Sequence, residues 1–178
     1  MLKKFLLPVI LFVALVAGFY FWQKSPTEKF PDWIEATYPE LQISFRHPID
    51  TTISLPEVRE TNNGTMVNEL IVTPAGVDAT RVHFFTTNVS PEEAKNIKIY
   101  ESLKLERSEF KSASIDGVSG MRRIDYLLHN DCTNELTVVQ HEGKIFGINL
   151  VQCPTHPAGY DAIRREIADS VKLISFGK

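Results

Sequence analysis

The stretch Asp131–Cys153 restricts the possible folds more than any other part of the chain. It contains both cysteines, Cys132 and Cys153. Runs of β-branched and apolar residues lie on either side of Glu142-Gly143, a pattern typical of two β-strands joined by a tight turn. The stretch therefore predicts an antiparallel β-hairpin.

Two registers of this hairpin compete. A two-residue turn at Glu142-Gly143 places Cys132 opposite Cys153, which suits the Cα separation of about 4.4–6.8 Å that a disulfide needs. A three-residue turn, His141–Gly143, shifts the pairing by one residue and sorts the apolar side chains better between the two faces. One bulged residue near the cysteines would satisfy both demands, and we expect such a bulge there.

The N-terminus indicates where the rest of the chain resides. Lys3 and Lys4 precede an apolar run from Phe5 to Trp22. About eighteen helical residues span roughly 27 Å, which is close to the hydrocarbon thickness of a bilayer. Because basic residues precede the run, the N-terminus is expected in the cytoplasm and the remainder outside. Residues 1–24 are therefore predicted to be a membrane anchor, and the alternative is a signal segment that is cleaved to release a secreted domain.

This location bears on the cysteines. In an oxidising compartment, two cysteines and no others most often form one disulfide, so we predict a disulfide between Cys132 and Cys153. The alternative is two separate buried thiols, because a free cysteine behaves as a small apolar residue. A redox-active pair is not expected, because the chain has no C-x-x-C spacing.

The remaining chain divides into a tether and one domain. Residues 25–40 contain three prolines among mixed charges and aromatics, and they predict a tether whose Trp33 and Tyr38 dock onto the domain. Residues 41–178 have the length of a single domain. Every acidic residue lies beyond the anchor, so the domain is mildly acidic, whereas a nucleic-acid-binding domain needs clustered Lys and Arg. We therefore expect no nucleic-acid partner.

Alternating apolar residues and turn signals predict a series of strands. They fall at 41–45, 52–55, 69–73, 80–86, 109–115 and 118–128, before the cysteine hairpin. Asp116-Gly117 is a strong signal for a two-residue hairpin turn. Residues Leu173–Lys178 are predicted to form a short extended tail.

Two helices are predicted. Ser90-Pro91-Glu92-Glu93 supplies a capping hydroxyl, a proline at the first helical position and an acid that reaches back to the cap. The second helix begins at Pro157. Its apolar stripe consists of Tyr160, Ile163, Ile167 and Val171, while Arg164, Arg165, Glu166 and Asp169 are expected to face water. Antiparallel strands with two separated helices predict an α+β fold.

Four segments resemble the PsbP-like family, and together they extend over most of residues 41–176. They are Ile43–Pro48 (ISFRHP), the helix start at 91–93, Ile115–Gly120 leading into Arg122–Tyr126, and Ser170–Phe176 after the last helix. The family includes the extrinsic photosystem II subunit, a Ran-binding nuclear import factor and bacterial envelope lipoproteins. The resemblance implies an α/β/α sandwich around a central antiparallel sheet, with a binding or accessory role. The plant member's metal-associated and photosystem contacts do not carry over, because no matching residues occur here.

No reactive group of residues is evident. The five histidines, His47, His83, His129, His141 and His156, are scattered without metal-ligand spacing, and His129 with Asp131 is the least implausible pair. Glu92-Glu93 is explained by helix capping, and Gly117-Val-Ser119-Gly120 is only a fragment of a nucleophile motif. We therefore predict no catalytic, cofactor-binding or metal-binding residues.

The sequence thus predicts a non-enzymatic binding or accessory domain, held outside a cell membrane by a single N-terminal helix. Its partner is expected to be a protein or an envelope ligand. The alternative is an envelope small-ligand carrier or hydrolase that uses a cleft between the sheet and a helix. A deep apolar pocket with convergent polar groups would favour that alternative.

Overall fold

The structure of the protein is a computed structural model that describes residues 32–61, 64–75, 81–95, 105–107, 109–127, 132–152 and 158–175. In chain order the elements are β1 (Trp33–Tyr38), a 3-10 turn (Pro39–Leu41), β2 (Ile43–Pro48), β3 (Thr52–Ile53), β4 (Glu57–Glu60), β5 (Met66–Thr73), β6 (Val82–Thr87), α1 (Pro91–Ala94), β7 (Leu105–Arg107), β8 (Lys111–Ile115), β9 (Val118–Leu127), β10 (Cys132–His141), β11 (Lys144–Gln152), α2 (Ala158–Asp169) and β12 (Lys172–Leu173).

Nine of these strands form one antiparallel sheet. The order across it is β3-β5-β6-β11-β10-β9-β7, with β4 also paired to β5 and β8 also paired to β9. Two tight turns set the pairing register of neighbouring strands, β8 with β9 and β10 with β11. Asp116 and Gly117 have φ of 48° and 77°, and Glu142 and Gly143 have φ of 47° and 80°. Positive φ at both central residues is the type I′ geometry, whose twist matches that of the strands it joins.

The cysteine hairpin adopts the two-residue register. Pairing runs from His141 opposite Lys144 to Thr133 opposite Gln152, so the three-residue alternative does not form, and the expected bulge is absent from this described ladder. The observed register is the one that suited the cysteines. Cys132 is buried in β10, but Cys153 lies outside the described residues, so the disulfide stays a prediction.

A second, three-stranded sheet has the order β1-β2-β12. Strand β1 comes from the segment predicted as the tether, and it pairs along its whole length with β2. Trp33 and Tyr38 pack against the main core, as expected. Strand β12, which lies in the C-terminal segment, pairs with the other side of β2 through Lys172 and Leu173.

The predicted α/β/α sandwich is therefore wrong. Strands make up most of the described chain, and one face of the large sheet is covered by the small sheet together with α2. The error arose because β1 was predicted to belong to a tether and β12 to a C-terminal tail. Their pairing with β2 turns what was expected to be a helical layer into a largely β layer.

The covered side of the large sheet is here called the aromatic face, and it carries Leu70, Phe84, Phe146 and Ile148. Phe84 lies with its ring centre 4.7 Å from that of Phe45 in β2 and 6.3 Å from that of Phe146. Ile167 of α2 joins the same cluster, fully buried. This packing of sheet on sheet and helix on sheet is the main hydrophobic core.

The opposite side is here called the polar face, because buried polar groups interrupt its apolar residues. These groups are Glu69, His83, Arg123, Asp125, Asn134 and Asn149. A smaller apolar cluster lies among them, formed by Val67, Phe85, Ala94, Leu136, Val138 and Ile145. Strand alternation and the register place both sets on one side of the sheet.

The helix predictions were largely confirmed. At α1 the Ser90 hydroxyl accepts from the Glu93 N–H, and the Glu93 carboxylate accepts from the Ser90 N–H, which is the expected capping box. The residues that would continue this helix, 96–104, lie outside the described residues. In α2, Ile167 and the following Val171 are buried. Arg164 does not face water, because it is buried, donates to the Val151 carbonyl and pairs with Asp161.

The predicted anchor, residues 1–24, lies outside the described residues and stays a prediction. Among the described residues, no helix has both the length and the apolar character needed to cross a membrane.

Candidate functional site

The candidate site is a cleft between α2 and the aromatic face of the large sheet, here called the α2 cleft. Its cavity measures about 180 Å³. Its lining comprises Ala113, Ser114, Ile115, Asp116, Arg122, Glu135, Thr137, Ile148, Leu150, Arg165, Ala168, Asp169 and Val171. Alternate residues of β10 and β11 supply the floor, together with Arg122 of β9 and the end of β8. One side of α2 supplies the wall.

A carboxylate on the floor holds the polar part of the cleft together. Glu135 is buried in β10, and it accepts two hydrogen bonds from Arg165 of α2, at 3.0 and 2.9 Å. Arg122 of β9 approaches the same carboxylate at 3.5 Å. The hydrogen bond to Glu135 raises the pKa of Arg165. A two-pronged guanidinium–carboxylate contact fixes orientation as well as charge, so α2 is held at a defined angle over the sheet.

Asp116 closes one end of the cleft. It lies in the β8–β9 turn, accepts from the Leu173 N–H at 3.0 Å and pairs with Lys172 at 3.2 Å. The Leu173 N–H and the Lys172 charge hold the pKa of Asp116 below its usual range. The turn of the large sheet is thereby joined to the last strand of the small sheet.

The charges of the cleft balance each other. Three acids, Asp116, Glu135 and Asp169, are accompanied by Arg122 and Arg165 in the lining and by Lys172 beside it. Both oxygens of the buried Glu135 carboxylate already contact arginines, Oε1 both Arg122 and Arg165 and Oε2 Arg165 alone. The cleft is therefore suited to binding a small neutral or amphipathic group.

A second polar group lies on the polar face. His83 Nδ1 is 2.6 Å from a Glu69 oxygen, and Arg59 lies 3.1 Å from the other oxygen. Burial alone raises the pKa of Glu69, but the hydrogen bond and charge of His83, with Arg59 beside it, outweigh burial. The pKa of Glu69 is therefore lowered from its usual 4.5.

An ion pair lies further along the same face. Arg123 Nε is 2.8 Å from an Asp125 oxygen, and both side chains are almost completely buried. Arg123 also donates to the Lys95 carbonyl at 2.7 Å and lies over the Phe110 ring. These contacts explain how a guanidinium is tolerated there, because a buried charge needs partners.

The structure does not bring the histidines together. His47 lies in β2 with Nδ1 directed at the Pro48 carbonyl, His83 lies on the polar face, and His141 lies at the end of β10. His129, Asp131 and His156 are outside the described residues. Within the described ranges, no group of three or more His, Cys, Asp or Glu could hold a metal ion.

Sequence reasoning did not identify the residues that shape the cleft. Glu135 was only a polar residue of a strand, and Arg165 was expected to face water. The two are thirty positions apart, so no local pattern indicates that they meet. The one available signal was α2 itself, whose apolar stripe predicted that it packs on the sheet.

Of the comparisons with known proteins, one found a match, and that match concerns the fold alone. Neither a protein-family model nor a curated protein sequence matches the chain. Among solved structures, it is similar to cyanobacterial PsbP from Synechocystis sp. PCC 6803, with a TM-score of 0.56 and 9% sequence identity. The match covers 84% of this chain and 97% of the other. The chain therefore has a PsbP-like fold, as the resemblance implied.

Proposed function

We propose that this chain, which has a PsbP-like fold, is a membrane-anchored accessory protein. It acts outside the cell membrane and does not catalyse a reaction. In this proposal, the apolar run of residues 5–22 holds the domain at the membrane, and the domain binds a partner protein. The partner inserts a side chain into the α2 cleft.

The observation that carries the proposal is the combination of the engaged Glu135 carboxylate with the small size of the cleft. Pockets for small molecules usually measure about 300–1,000 Å³, whereas the α2 cleft measures about 180 Å³. Such a cavity accommodates one or two side chains of a partner. Its apolar floor, with Ile148 and Leu150, and its rim of paired charges have the arrangement typical of a protein interface.

The location can be tested by labelling. Asp50 is exposed in the turn between β2 and β3. In intact cells, an Asp50→Cys variant of the full chain is expected to react with a membrane-impermeant maleimide before lysis. Labelling that occurs only after lysis would place the domain in the cytoplasm and overturn this part of the proposal.

The binding site can be tested by photo-crosslinking. A photoreactive residue replaces Asp169, at the exposed rim of the cleft, or Glu92, an exposed residue of α1 that serves as control. We expect a discrete adduct from position 169 and not from position 92. Ala113 lines the cleft, so Ala113→Leu fills the cavity and is expected to remove the adduct while the melting temperature stays close to that of the parent.

An adduct that persists in the filled variant, or equal adducts from both positions, would contradict a partner in the cleft. Mass spectrometry of the adduct identifies the partner. An adduct with a small envelope molecule in place of a protein would favour the carrier function instead.

A further inference from the structure

The outer edge of the large sheet at β4 is open. Among the described strands, β4 pairs with β5 alone, and all four of its residues are exposed. Val58, at its centre, is 70% exposed. An edge strand that shows an apolar residue and unpaired backbone groups is a template for pairing with another strand.

The backbone pattern identifies which groups point outward. The Thr61 N–H donates to the Thr65 carbonyl at 2.8 Å, in the same register that continues through β4 and β5. In an antiparallel pair, every second residue directs both its N–H and its C=O to the partner strand. Glu57 and Arg59 therefore bond toward β5, whereas the N–H and C=O of Val58 point away from the sheet.

Apolar side chains lie beside this edge. Leu55 is 84% exposed and Met66 is 54% exposed, while Glu60 lies opposite Met66 in the ladder. Val58 and Met66 share one side of the sheet and line a shallow hollow of about 210 Å³. Large apolar residues exposed next to one another mark an interaction surface more often than an ordinary solvated surface.

The charges on β4 are self-complementary in one arrangement. Glu57 lies opposite the buried Glu69, and no cation among the described residues pairs with it. If a second copy of β4 runs antiparallel with a two-fold axis at Val58, Glu57 of each copy lies opposite Arg59 of the other. A two-fold axis at Arg59 also fits the hydrogen-bonding pattern, but it would place the two arginines side by side, which is unfavourable.

We propose that two copies of this chain associate through their β4 strands, antiparallel and with the two-fold axis at Val58. The two Val58 residues exchange N–H···O=C hydrogen bonds, and the sheet continues from one copy into the other. Val58 and Met66 of both copies cover each other on one side, and two Glu57–Arg59 contacts form on the other. The interface is isologous, as a two-fold axis requires.

This inference goes beyond the proposed function, because it uses neither the α2 cleft nor its partner. The contact is short compared with stable interfaces, which bury about 800 Å² per partner. We therefore expect weak association that is populated when copies are concentrated.

The test uses the full chain in its membrane. A Val58→Cys variant brings two thiols together at the two-fold axis, so mild oxidation is expected to give a disulfide-linked dimer on a non-reducing gel. The control is Glu35→Cys, an exposed residue of the edge strand β1. Equal dimer from both variants, no dimer from Val58→Cys, or a link to a different protein only would each overturn the proposal.

A charge variant tests the register. In the Val58→Cys background, Glu57→Lys places like charges opposite each other twice, and we expect roughly tenfold less dimer at the same protein concentration. Glu166→Lys makes the same charge change at an exposed position of α2 and is expected to leave the yield unchanged. A yield that is insensitive to Glu57→Lys would exclude the axis at Val58.

Discussion

The two faces of the large sheet are stabilised in different ways. Phe84 and Phe85 are neighbours in β6 and both are completely buried, but they point to opposite faces. Phe84 meets the rings of Phe45 and Phe146. Phe85 lies against Gly147 and belongs to the small apolar cluster of the polar face. The aromatic face is stabilised by close packing of apolar side chains. On the polar face, the pairs His83–Glu69 and Arg123–Asp125 stabilise the buried charges.

The largest effect is expected on the aromatic face. Phe84→Ala removes a ring that contacts two others at the junction of the two sheets, and large aromatic deletions in cores cost about 3–5 kcal/mol. We expect a loss of unfolding free energy near the upper end of that range, measured by denaturant unfolding of the full chain. Ile49→Ala, at an exposed position, is the control and should change the free energy by less than about 0.5 kcal/mol.

The next effect concerns the buried ion pair of the polar face. Asp125→Leu leaves the Arg123 guanidinium buried without its carboxylate, and breaking such a pair costs about 3–5 kcal/mol. Because Arg123 keeps its bond to the Lys95 carbonyl, we expect a loss of roughly 3 kcal/mol in the same assay. The double variant Arg123→Met/Asp125→Leu should recover most of it. A double variant as unstable as the single one would show that packing, and not charge, governs this face.

A smaller loss of unfolding free energy is expected where side chains of the polar face pack most closely, at Gly147. A Cβ at Gly147 would lie 2.1 Å from the Phe85 ring, so Gly147→Ala must displace that ring. Overpacking of this kind costs about 1–3 kcal/mol. Gly117→Asn is the matched control, because no heavy atom lies within 4 Å of a Cβ there and Asn tolerates a positive φ. A Gly147→Ala protein as stable as its parent would mean that Phe85 moves freely.

The smallest effect depends on pH. The pKa of Glu69 is lowered in the folded protein, so its stabilising contribution is present above the usual value of 4.5 and is lost as the pH falls through the folded pKa. Glu69→Gln should therefore melt at a lower temperature than the parent at pH 7, and the difference should narrow in the acid range. Phe84→Ala has no such titrating group, and its deficit should persist across the same pH range.

Local signals predicted the local structure well. Asp116-Gly117 forms the expected tight turn, and Ser90 caps its helix as the pattern indicated. The turn at Glu142-Gly143 is one of the two alternatives that the sequence left open. The hairpin register was harder to predict, because both faces of β10 and β11 are buried. Sorting of apolar residues between the two faces therefore favoured the alternative that does not form. The register that forms has a type I′ turn, whose twist matches that of the strands.

Pairings between distant residues could not be read from the sequence. Strand β1 has three exposed and three half-buried residues and lies between prolines, so nothing local separates it from a tether. Arg164 lies four residues after Tyr160 and three before Ile167, so helical periodicity places it within the apolar stripe of α2. Its charge led to the expectation that it faces water, but the C-terminal end of β11 supplies the Val151 carbonyl as a partner. The Glu135–Arg165 contact that shapes the cleft depends on the angle at which α2 crosses the sheet.

The position of β12 has a consequence for biosynthesis. Ile43 of β2 pairs with Leu173, and the Arg46 N–H donates to the Ser170 hydroxyl, so β2 is completed by residues made 124 or more positions later. While the ribosome is still elongating the chain, Phe45 and Phe84 have been synthesised but α2 and β12 have not. We expect the nascent polypeptide to expose this apolar surface until α2 and β12 emerge from the ribosome. Until then, it is expected to rely on a chaperone that holds unfolded chains.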